Sequence, residues 1–122
     1  MPRPAVGAAL MAATTTVLLF TACSSDDSAG GTAIPIVSTS TTCEVGQTQL
    51  PAGKHTFSVD NRGSEVTEVY VYAPGDKVVT EKEHIGPGTS ARFSVDLKSG
   101  QYEIACKPGE TGSGIRQTIT VA

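Results

Sequence analysis

Three cysteines, two histidines and twelve acidic residues are the side chains with which this 122-residue chain can bind or react. Cys23 stands apart from the other two cysteines, because Thr21-Ala22-Cys23 ends an apolar run in small residues. A peptidase that cuts before a diacylated thiol needs small residues there, so Cys23 is the expected lipidation site, although Phe20 departs from the customary Leu. A plain secretory signal or an uncleaved anchor is the alternative, and either way the functional domain lies outside the cytoplasm. There Cys43 and Cys106 either pair as a disulfide or stay reduced as soft metal ligands. Closing a loop of that length contributes about 4 kcal/mol on the chain-entropy model. Glu81 and Glu83, two apart on an expected strand, project from one face while Lys82 takes the other. They can share a cation, or they form a solvated strand face. His84 follows Glu83 directly and is either a further ligand or a solvated strand-end histidine. His55 shares the phase of Phe57 and Val59 and is expected to be structural.

These residues have to be positioned by a small amount of chain. Arg3 and the mostly apolar stretch 5–20 fit a signal peptide over residues 1–22 better than a span of roughly 20 residues. Residues 23–32, the lipidated cysteine followed by Ser, Asp, Gly and Ala, read as a flexible tether, and residues 33–122 as one small domain. Two acyl chains on Cys23 would anchor it stably. The expected location is the outer face of the cell membrane. Cleavage before Cys23 removes Arg3 alone among nine cationic residues and none of the twelve acids, so the mature protein is acidic without a basic run. Nucleic acid and anionic lipid are poor partners for such a surface; metal cations are not.

Alternating apolar and polar residues dominate the domain, in 54–60, 67–72, 90–97, 101–106 and 115–121, and Gly, Pro, Asn and Asp punctuate them. Residues 34–38 with 47–50 can supply the first strand. The expected fold is all-β, a two-sheet sandwich of about seven strands. Its core is expected to hold Phe57, Val59, Val69, Val71, Phe93, Val95, Leu97, Tyr102, Ile104, Ile119 and Val121. The stretch 107–114, rich in glycine, is the loosest loop and follows Cys106 directly.

Leu50-Pro51-Ala52-Gly53, a strand, then Asn61-Arg62-Gly63 resembles the start of a cupredoxin, a Greek-key sandwich. Ile85-Gly86-Pro87-Gly88, a strand, and Ser99-Gly100-Gln101-Tyr102-Glu103-Ile104-Ala105-Cys106 continue the resemblance. More narrowly, Cys43-Glu44 before the first turn, Glu68 after Asn61, and residues 78–83 leading into Ile85-Gly86-Pro87-Gly88 resemble the cupredoxin-like domain of Efe-type bacterial iron-uptake lipoproteins and periplasmic proteins. The resemblance covers about residues 43–121. It implies an iron site at Glu68, Glu81 and Glu83 and a copper site at Cys43 and Cys106. A blue-copper centre is disfavoured, because Lys107, Pro108, Gly109 and Glu110 follow Cys106 where cupredoxins place His and Met, and Glu68 stands where a His is expected. Carboxylate for imidazole shifts preference toward harder cations such as ferric iron. The helical domain of larger relatives, with its His-x-x-Glu metal motif, is not in this sequence, which reads as the cupredoxin-like part alone.

The leading expectation is a membrane-anchored module that captures iron, possible copper included, and delivers it to an uptake permease or companion metal-binding protein. No nucleophile set, phosphate loop or zinc-type histidine cluster points to an enzyme. A disulfide-stapled binding sandwich without metal, and copper electron transfer at Cys106, are the alternatives.

Overall fold

The computed structural model describes residues 32–122 and, before them, Pro2 alone. The expected signal and nearly all of the tether lie outside the described residues. Nine strands follow in order: β1 Ile34–Ser38, β2 Cys43–Val45, β3 Gln49–Leu50, β4 Gly53–Asn61, β5 Thr67–Ala73, β6 Lys77–Ile85, β7 Ser90–Leu97, β8 Gly100–Pro108 and β9 Ile115–Val121. They form two sheets, one ordered β2-β1-β4-β7 and the other β3-β9-β8-β5-β6. The chain crosses between sheets after β2, β3, β4, β6 and β7, so residues distant in sequence become neighbours at each end of the sandwich.

Alternation accounts for most of this. In β7 the odd-numbered residues turn inward and the even ones stay exposed, as expected of a strand with one face in the core. Phe57, Val59, Val69, Val71, Ile104 and Ile119 are wholly buried between the sheets. Phe93 and Tyr102, expected inside, lie half-buried against the core instead. Phe93 stacks on Phe57 at 5.3 Å between centroids. Tyr102 keeps its hydroxyl outside, donating to Lys98 O at 2.8 Å, because a buried phenol needs a partner. Nine strands appear in place of about seven because the segment before Gly53 divides into three. A turn with Thr39 N bonded to Thr42 O folds β2 back on β1, and β3 crosses to pair with β9 in parallel. Pieces of two or three residues are too short to show a period in sequence.

Two features set the β5–β6 end. Asn61, 1 % exposed, donates from Nδ2 to Glu65 O and to Ile85 O, each at 2.8 Å, and accepts from Gly63 N at 3.0 Å. One amide thus ties the end of β4 to the start of β5 and the end of β6. Gly63 suits this corner, because a Cβ there would crowd Asn61 Oδ1 and Ser40 N at 3.3 Å each. The second feature is a bulge. Thr67 pairs with Ile85 and Val69 with Lys82, so Glu68 alone faces both Glu83 and His84. His84 takes a left-handed conformation, φ 56°. The extra residue switches the phase of the strand, so that Glu81 and Glu83 share the outer face while Ile85 enters the core at 2 % exposure. Without it Ile85 would share their face.

Candidate metal site

The outer face of β5 carries Glu68, Tyr70 and Tyr72, opposite in phase to the core residues Val69 and Val71. Across the ladders, Glu68 pairs with Lys107 on β8, and Tyr70 pairs with Glu81 on β6 and Ala105 on β8. The small Ala105 leaves room beside the Tyr70 ring, which is held from two sides. Lys107 Nζ sits 3.9 Å from its centroid, and Tyr72 stacks on it at 5.4 Å with planes 11° apart. Arg116 closes the stack 4.5 Å from the Tyr72 centroid and bridges Asp76 at 2.6 Å and Glu103 at 3.0 Å. Stacked rings between cations form a rigid platform.

Around that platform stand four carboxylates. Glu68 is 8 % exposed. Burial pushes its pKa up, Lys107 partly opposes this, and Glu110, Glu83 and Glu81 raise it further. No side-chain hydrogen bond or ion pair among the described residues satisfies its carboxylate, which keeps an edge open to solvent. Hydrogen bonding with the Glu81 carboxylate, burial and the charges of Glu68, Glu81 and Glu83 hold the Tyr70 phenol well above its ordinary range.

Glu110 comes from the loop between β8 and β9. Its Oε1 accepts from His84 N at 3.0 Å and lies 2.8 Å from His84 Nδ1, while His84 Nε2 lies 3.6 Å from Glu83. His84 and Glu110 are two of the three non-glycine residues with positive φ among the described residues. Such conformations cost about 1 kcal/mol or more each and persist only where surroundings enforce them. Here the two strained residues hold each other, and the loop is clasped to the bulge.

The structure thus brings Glu68, Glu81, Glu83 and His84 to one face. Among the described residues, however, no three His, Cys, Asp or Glu side chains converge closely enough to hold an ion as they stand. Cys43 and Cys106 lie elsewhere, buried and joined in a disulfide that links the two sheets, with Cα atoms 5.6 Å apart. In this state neither offers a thiolate to copper. His55 Nε2 lies 2.7 Å from Pro51 O, the structural role expected of it. Sequence reasoning missed the part taken by Glu110 and Lys107. The signals were there, in glycines at 109, 112 and 114 that shape a loop presenting Glu110, and in Lys107 standing opposite Glu68 once register is known.

The profile of the cupredoxin-like domain family matches residues 11–121. The chain belongs to that family. Iron uptake system component EfeO of Yersinia pestis is 34 % identical over 80 residues, 66 % of this chain and 21 % of EfeO. EfeO of Escherichia coli K12 is 30 % identical over 73 residues, 60 % of this chain and 19 % of its own length. The chain therefore spans about a fifth of the length of these relatives. The resemblance to Efe-type cupredoxin-like domains read from the sequence holds. Among solved structures, auracyanin of Roseiflexus castenholzii superposes with a TM-score of 0.62 at 17 % identity, covering 75 % of this chain and 98 % of that one. Auracyanin A of Chloroflexus aurantiacus, described as a blue copper protein, gives 0.55 at 16 % identity, covering 76 % of this chain and 100 % of its own. At such identity these establish the all-β cupredoxin-like sandwich.

Proposed function

We propose that this cupredoxin-like chain is a metal-capture module, anchored through Cys23 on the outer face of the cell membrane, that binds iron at Glu68, Glu81 and Glu83 and passes it to an uptake system. It acts as a carrier and not as an enzyme. One observation carries the reading: Glu68 is nine-tenths buried, has no side-chain hydrogen-bond or ion-pair partner among the described residues, and faces three further carboxylates. A protein conserving its stability would pair or neutralise such a group; a cation-binding one leaves it free. The likeness to a part of EfeO supports iron as the cargo. The donors on this face are oxygens apart from His84, which favours a hard cation over copper. Side-chain rotation must draw the carboxylates inward, and His84 and Glu110, already clasped across the bulge, stand where they can follow. Copper at Cys43 and Cys106 would require the disulfide to be reduced first.

The test is metal stoichiometry of the purified full chain, equilibrated separately with ferric citrate and copper(II) under a competing chelator. About one equivalent of retained iron is expected, and Glu68→Gln with Glu81→Gln should abolish retention. Retention of neither metal would replace this reading with that of a disulfide-stapled binding domain. Retention of copper alone by the reduced protein would move the site to the sulfurs.

A further inference from the structure

We infer that Tyr70 is itself a ligand, and that the site is built for ferric iron held by the Tyr70 phenolate oxygen together with Glu68 and Glu81. The inference rests on the iron-capture reading and narrows it to an oxidation state.

Three placements converge. Tyr70 pairs directly across β5–β6 with Glu81, so the two side chains leave the sheet side by side on its outer face. Glu68 stands two residues before it on the same outer face, nine-tenths buried and, among the described residues, without a side-chain hydrogen-bond or ion-pair partner, its carboxylate open to solvent at one edge. The ring is fixed between Lys107, 3.9 Å from its centroid, and the Tyr72 ring at 5.4 Å, so its oxygen is aimed before any ion arrives. The carboxylates and the imidazole of this face do not converge by themselves among the described residues, and Tyr70, in register between Glu81 and Ala105, offers a further oxygen donor on it. Phenolate and carboxylate are hard donors, suited to a trivalent ion.

The step balances simply. Ferric iron bonds to the phenolic oxygen, the O–H bond breaks, and its proton passes to water. No electron is transferred and the iron remains ferric. Lys107 is the cationic neighbour the ion must tolerate, and its ammonium already lies over the ring face rather than at the hydroxyl edge. A phenolate favours ferric over ferrous iron, because the hard anionic oxygen gains most from the higher charge.

The experiment is a titration of the full chain with ferric citrate, followed by visible absorption and by chelator competition, on wild type, Tyr70→Phe and Tyr72→Phe. Wild type is expected to develop a phenolate-to-iron charge-transfer band. Tyr70→Phe keeps the ring and its stacking, and should lose the band and bind iron about tenfold or more weakly. Tyr72→Phe should keep both. Iron bound at one equivalent without a visible band, or a band surviving in Tyr70→Phe, would overturn the role of Tyr70 while leaving iron capture by the glutamates standing. No retained iron in wild type would overturn both.

Discussion

Glu68 carries a thermodynamic penalty in the folded chain that Lys107 offsets only in part. Its folded pKa lies above its ordinary value of 4.5, so the folded state holds this proton more tightly than the unfolded state. Below the carboxylate range both states are protonated and Glu68 has no effect. As pH rises from about 4.5 through the folded pKa, the unfolded chain ionises first and stability falls; above that range the full cost persists. In metal-free protein, Glu68→Gln should therefore raise the urea midpoint at pH 7, with the gain vanishing near pH 3. A gain independent of pH would show that the carboxylate's charge is not the cause. The candidate residues Glu81, Glu83 and His84 were legible because adjacency and strand phase are visible in one dimension. The partners Glu110 and Lys107 were not, since one comes from a loop and the other from a neighbouring strand.

At the scale of elements, the placement of the site depends on the bulge in β6 and on Asn61. A period-2 reading puts Glu81, Glu83 and Ile85 on one face, which is right for the glutamates and wrong for Ile85. Only pairing against β5 shows that an extra residue intervenes, and the burial of Ile85 is the force that selects it. Asn61 locks this register by binding Glu65 O and Ile85 O. Asn61→Ala removes three hydrogen bonds and leaves buried carbonyls unsatisfied, so it should cost about 2 to 3 kcal/mol in urea denaturation. It should also weaken iron retention, because β5 and β6 lose the tie that sets Glu68 against Glu83. Unchanged stability would mean that water replaces the amide.

For the whole molecule, the Cys43–Cys106 disulfide decides how much margin the domain has. It joins β2 to β8 across the sandwich at a sequence separation of 63 residues, which on the chain-entropy model contributes about 4 kcal/mol. Replacing both cysteines by alanine should lower the melting temperature by roughly 20 °C, about 5 °C per kcal/mol for a domain of this size. Below that temperature iron stoichiometry should be unchanged, because the glutamates lie on the outer face and the sulfurs inside. Loss of iron by the folded variant would place the sulfurs in the site.

The sequence by itself determined the all-β class, most strands, most of the core and the phase of His55, because burying one face of a strand imposes a two-residue period that survives in the residue order; the family was legible only through the resemblance of its ordered turn and strand motifs. It left the cysteines open between bond and ligand; it placed Tyr70 in phase with Glu68, but could not say that Tyr70 pairs with Glu81 or that Glu110 and Lys107 meet Glu68. Those matters depend on which strands become neighbours and in what register. That is settled by packing two sheets around one core, a requirement no single segment carries.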